Sequence, residues 1–170
     1  MVETILFIIL SAATAVTALL VILQRNPVKS AIFLILTFFS LAGIYLLLYA
    51  EFIAIIQILV YAGAIMVLFL FVIMLLNLEQ ERRILARDWL QKVLGIFLGL
   101  VLLGQIAVVF QATFLEGARG AFPPEKVAAL GNTEVVARLL FTDFLLPFEI
   151  TSVLLLVAII GAIVLAKREV

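Results

Sequence analysis

Few residues in this 170-residue chain could do chemistry. It holds no Cys and no His, so it offers no thiolate or imidazole for iron-sulfur, haem or zinc sites, and no Cys or His catalytic group. What remains is a polar pair and three carboxylates set in or beside long apolar runs. Gln57 and Tyr61 stand at i and i+4, and hence on one face of a helix, inside the uncharged run FIAIIQILVYAGAIMVLFLFVIMLLN over residues 52–77. Two polar side chains one turn apart near a bilayer centre can bind water. Gly63, in the same run, costs about 1 kcal/mol against Ala inside a helix. One reason to keep it is close helix packing through Ala62, Gly63 and Ala64. Another is a hinge, a π-bulge placed where the hydrogen-bond ladder is already poor. Composition leaves both open.

The carboxylates are Glu51 and Glu149, expected at the outer ends of the third and fifth apolar runs, and Glu3 at the outer end of the first. Each could contact water, or could stabilise the positive end of a helix macrodipole by about 0.3 to 1 kcal/mol. A proton path usually shows itself as Asp or Glu within spans, and these spans are nearly empty of them. By itself the chain lacks the buried carboxylates of a pump, and redox chemistry must happen in other chains.

The elements that must position these residues follow from composition. With 67% hydrophobic and 13% charged residues, the chain lies far from the roughly 45 to 50% and 25% of soluble domains. It reads as an all-α integral membrane protein, a single membrane domain over residues 1–170. Five apolar stretches, 2–23, 28–49, 52–77, 90–115 and 144–166, are each long enough to cross a core of about 30 Å. The first has no basic region before it and no signal-peptide cleavage layout, so it reads as a retained span. Gln24, Arg25, Asn26 and Pro27 break the first two spans, with Pro suited to the first turn of a new helix. Ala50 and Glu51 alone join the second and third into a tight hairpin, with Tyr45 and Tyr49 as interfacial aromatics.

Arg25, Lys29, Arg82, Arg83, Arg87, Lys92, Lys167 and Arg168 fall on one side of this arrangement, against Arg119, Lys126 and Arg138 on the other. The excess marks the cytoplasmic side, which puts the amino terminus outside and the carboxyl terminus inside. Trp89 anchors the interface beside the basic loop. No basic arm points to nucleic acid. The outer loop 116–143 is broken by Gly117, Gly120, Pro123, Pro124 and Gly131, but Asn132 and Thr133 can cap a short helix through Phe141, with Val135, Val136, Leu139 and Leu140 on its apolar side. Such a helix would lie on the membrane surface or against a partner. Small residues at packing spacing occur as Gly95 with Gly99, Ser11 with Ala15 and Ala158 with Ala162.

Three stretches resemble a known family. YAEFIAIIQILVYAGAIMVLFLFVIMLLNL over 49–78, with VYAGAIMVLF at its centre, GNTEVVARLLFTDFLLPFEITSVLLLVAIIGAIVLAKR over 131–168, and the NPVKSAIFLI entry to the second span are similar to the J subunit, called subunit 6 in mitochondria, of proton-translocating NADH:quinone oxidoreductase, respiratory complex I. The resemblance implies a non-catalytic subunit of the bacterial cytoplasmic (inner) membrane with no cofactor of its own; NADH, FMN, iron-sulfur clusters and quinone belong to other subunits. Its implied partners are the membrane subunit of the quinone site, the small A and K subunits, the antiporter-like subunits and lipid. It also implies a gating π-bulge in the third span over the region of Tyr61 to Val67, carried here by Tyr61, Gly63 and Met66, which opens a water path toward carboxylates of the K subunit. Competing readings are a small homo-oligomeric channel or transporter, the equivalent subunit of a redox pump with a donor other than NADH, and a subunit of a cation antiporter assembly.

Overall fold

The structure is a computed structural model that describes residues 1–76, 89–115 and 130–167. Its regular elements are helical: α1 (Val2–Leu23), α2 (Pro27–Leu47), α3 (Glu51–Ile56), a π-helical segment (Gln57–Ile65), α4 (Met66–Leu75), α5 (Trp89–Leu115), α6 (Asn132–Phe141) and α7 (Leu145–Ala166). Among the described residues four helices are long and apolar enough to cross a membrane: α1, α2, the continuous rod Glu51–Leu75 and α7. In α5 the described apolar stretch, Val93–Val109, is shorter. Arg82, Arg83, Arg87, Arg119, Lys126 and Arg168, on which the expected orientation rests, lie outside the described residues.

The two turns in the first half are fixed by local chemistry. Asn26 caps α2, its side-chain oxygen accepting from the N–H groups of Val28 at 2.9 Å and Lys29 at 3.2 Å, and Pro27 fills the first helical position, where no N–H is needed. At the other end Ala50 N–H donates to the Tyr45 carbonyl at 2.9 Å and Tyr49 N–H to Leu46 at 3.1 Å. This is the double bond pattern of a helix stop whose left-handed position usually holds Gly. Here that position is Tyr49, at φ 57°, a conformation that costs a non-Gly residue on the order of 1–2 kcal/mol. The link is therefore 48–50 rather than Ala50 and Glu51, and Glu51 is already helical.

Packing concentrates between α1, α2 and the rod. The buried positions are mostly small, Ala31 and Ala42 on α2 and Ala54 and Ala62 on the rod, which lets backbones approach where lipid gives no hydrophobic drive for association. Side-chain hydrogen bonds join α1 to α2. Ser30 Oγ donates to the Val21 carbonyl at 2.6 Å, and Thr37 Oγ1 lies 2.9 Å from Thr17 Oγ1, whose hydroxyl reaches the Ala13 carbonyl at 2.7 Å. At Gly43 a Cβ would stand 2.9 Å from a methyl carbon of Leu10, so any larger residue there would make the Leu10 side chain shift. By contrast, among the described residues nothing lies within 4 Å of the place a Cβ would take on Gly95, Gly99, Gly104 or Gly161.

Candidate functional site

The rod is the element with the most irregular backbone. Its hydrogen bonds leave the α pattern at Gln57 and return at Met66, so the π-helical segment covers nine residues, QILVYAGAI. At the exit, the Met66 N–H is shared between the carbonyls of Tyr61 and Gly63, five and three residues back. Tyr61 and Gly63 lie inside the segment, while Met66 is the first residue of α4. The irregular stretch thus begins four residues before the Tyr61 to Val67 region expected from the family resemblance, and ends before Met66.

Burial shows what the extra residue does. The buried positions along the rod are Ala54, Gln57, Ala62 and Met66, which step by three, five and four. An uninterrupted α-helix would follow Gln57 with Tyr61 on the same face. The π turn presents Ala62 instead, at 4% exposure, and leaves Tyr61 at 46%. Gln57 and Tyr61 therefore do not share a face as the α spacing predicted: Gln57 is 8% exposed, whereas Tyr61 lies at the edge of the interface. There its ring meets Phe38 of α2 edge to face, with centroids 5.8 Å apart and planes at 68°, a favoured aromatic geometry.

Gly63 has a reason different from helix packing. A Cβ on it would stand 3.1 Å from the carbonyl oxygen of Ile58, five residues back in the same helix. Among the described residues no side chain of another helix lies within 4 Å of that point. Within this chain the close approach at Gly63 is thus to its own helix, where a Cβ would require the π turn to give by a few tenths of an ångström. Met66, at 3% exposure, closes the buried stripe.

The carboxylates stand apart from this centre. Glu51 is exposed and sits in the first turn of α3, and Glu3 in the first turn of α1, where a negative charge complements the helix dipole. Glu149 is exposed too, but α7 starts at Leu145. Glu149 is thus the fifth helical residue, past the first turn in which the dipole acts strongly. Among the described residues no group of three or more His, Cys, Asp or Glu could hold a metal ion.

The short helix α6 ends at Phe141 as its pattern suggested, with Val135 buried and Val136, Leu139 and Leu140 partly covered. Its cap differs from expectation. The helix begins at Asn132, and its N-cap is Gly131 at φ 85°. Asn132 does not cap its own helix: its side-chain oxygen accepts the Phe52 N–H of α3 at 3.2 Å, across 80 residues of sequence. On the exposed side Arg138 pairs with Glu134 at 2.7 Å, an i,i+4 bridge that contributes about 0.3–0.5 kcal/mol. Sequence reading missed the roles of Phe38, Gly43 and Asn132, each defined by a partner distant in the chain.

Comparison with known proteins places this chain in a family. Residues 17–165 match the family model described as NADH-ubiquinone/plastoquinone oxidoreductase chain 6. The chain is similar to the NAD(P)H-quinone oxidoreductase subunit 6 of the organellar chromatophore of Paulinella chromatophora, 41% identical over 98% of this chain and 79% of the relative. It is also similar to the NADH-quinone oxidoreductase subunit J of Rhodobacter capsulatus, 39% identical over 96% of this chain and 81% of the relative. A third relative is the F(420)H(2) dehydrogenase subunit J of Methanosarcina mazei, 37% identical over 98% of this chain and 92% of that one. The chain therefore belongs to the NADH-ubiquinone/plastoquinone oxidoreductase chain 6 family.

Proposed function

We propose that this chain is a non-catalytic, multi-pass membrane subunit of an NADH:quinone oxidoreductase of the complex I type, and that its interrupted third span gates the coupling of quinone reduction to proton translocation. The family supports the first part. The nine-residue π-helical segment inside a span carries the second. Rewinding it to α-helix removes one residue's excess turn, which rotates α4 against α3 by about 100°. Ala62 and Met66 would then leave the buried stripe and Tyr61 would enter it. A switch requires the two forms to lie within a few kcal/mol of each other.

In this reading α5 is the fourth of five spans and α7 the fifth, the amino terminus lies outside and the carboxyl terminus in the cytoplasm of a bacterial inner membrane. Gln57, buried beside the π turn, is the polar group placed to meet water when the segment changes. The membrane subunit of the quinone site, the small A and K subunits and the antiporter-like subunits cover the exposed apolar faces, and NADH, FMN, iron-sulfur clusters and quinone bind to other chains. The relatives' names span NAD(P)H, NADH and F(420)H(2). The electron donor is accordingly set by other subunits, while this chain's part is common to all three.

The test is to resolve residues 57–65 in the assembled complex at rest and during turnover. Both π-helical and α-helical forms are expected, in proportions that change with turnover. One π-helical form in every state would overturn the gating reading. Recovery of the chain by itself as an ion-conducting homo-oligomer would overturn the subunit reading.

A further inference from the structure

The amino-terminal end of α3 is short of local hydrogen-bond acceptors. A helix leaves its first N–H groups without intrahelical partners, and Ala50 at the N-cap has no side chain with which to accept from them. The missing acceptor comes from far away, as Asn132 Oδ1 on Phe52 N–H. Gly131, at φ 85°, turns the chain so that Asn132 opens α6, and Gly is the residue that adopts this φ at least cost. At its other end α6 is fixed to α7 through the rings of Phe141 and Phe148, 5.2 Å apart at 64°. Val135 is buried between these attachments. The short helix is thus held to two different spans.

We propose that Asn132 is a positioning residue that caps α3 in trans, making α6 a strap that fixes α3 to α7 and confines any movement of the π segment to its α4 side. The capping claim stands on the geometry alone; the confinement of movement rests on the gating reading above. Rewinding a π segment must rotate whichever flanking segment is freer. With α3 held by Asn132, that segment is α4. Without the strap, the same rewinding is taken up partly by α3, and the change reaching Met66 is reduced.

The experiment uses the assembled complex in its membrane and compares Asn132→Ala, which removes the acceptor, with Asn132→Asp, which keeps it. Amide hydrogen exchange in peptides covering residues 50–56 should become about fivefold faster in Asn132→Ala, the consequence of losing an N-cap, and stay near the parent in Asn132→Asp. Gly131→Ala, strained at φ 85°, keeps the Asn132 side chain but moves its oxygen away from the Phe52 N–H, and should raise exchange as Asn132→Ala does. Unchanged exchange in Asn132→Ala, or equal acceleration in Asn132→Asp, would overturn the cap. Protons moved per quinone reduced, measured on the same membranes, should fall in Asn132→Ala and recover in Asn132→Asp. Accelerated exchange with an unchanged proton ratio would retain the cap and overturn the gating role it is proposed to serve.

Discussion

The ring of Tyr61 meets the ring of Phe38 edge to face at 5.8 Å, so the π-helical segment and α2 touch through an aromatic pair at the edge of their alanine-lined contact. Such pairs contribute about 0.5–1.5 kcal/mol beyond the area they bury. Tyr61→Phe keeps the ring and should leave the thermal stability of the assembled complex near the parent. Tyr61→Ala should lower it by a few degrees. A thermal melt of the purified complex checks both, and equal melting of Tyr61→Ala and parent would show that the contact is incidental.

Ala62 occupies the place that an α-helix would give to Tyr61. A larger side chain there meets α2 in the π form, and overpacking of this kind costs about 1–3 kcal/mol. Ala62→Leu should therefore reduce the amount of assembled complex more than Ala64→Leu, since Ala64 is exposed on the same segment. Quantifying the subunit in the complex after native electrophoresis distinguishes the two.

Thr37 is buried between α1 and α2, with its hydroxyl 2.9 Å from that of Thr17. Hydrogen bonds between membrane helices average about 0.6 kcal/mol. Thr37→Val keeps the shape and should cost about that much, whereas Gly43→Leu, forced against Leu10, should cost several times more. The readout is the denaturant concentration that dissociates the subunit from the complex. A larger loss in Thr37→Val would mean that the hydroxyl pair does more than join two helices.

The sequence made the helices legible because each must hide its backbone within an apolar run, and Pro27 marked the start of α2 by the same local chemistry that the structure displays. Facing relationships were harder. The i, i+4 rule set Gln57 and Tyr61 on one face because it assumes 3.6 residues per turn, and the π turn breaks that assumption between them. Gly63 stood out by type, but the oxygen it accommodates belongs to its own helix, which no count of small residues reveals. Asn132 had the right type and place to cap α6, yet a cap 80 residues away took its side chain. Gly43 was missed because its reason is Leu10 on the preceding helix.

The two carboxylates named as water contacts are expected to be dispensable one at a time. Glu51→Gln loses a first-turn dipole interaction of about 0.3 to 1 kcal/mol at most. Glu149→Gln loses less, because Glu149 stands beyond that turn. Each variant should assemble and keep most of its proton translocation per electron in membrane vesicles. Abolished translocation with intact assembly would give that carboxylate a part in the proton path.

The central claim is that the π segment must be able to rearrange for quinone reduction and proton translocation to stay coupled, and Gly63 is where it can be tested most directly. Gly63→Val sets a β-branched side chain 3.1 Å from the Ile58 carbonyl oxygen, which strains the π turn and stiffens the helix around it. The measurement is quinone reduction and proton translocation in the same vesicles, with assembly checked by native electrophoresis. An assembled complex in which both rates fall together is the result predicted. Normal assembly with both rates equal to the parent's would contradict it and leave the third span a passive strut.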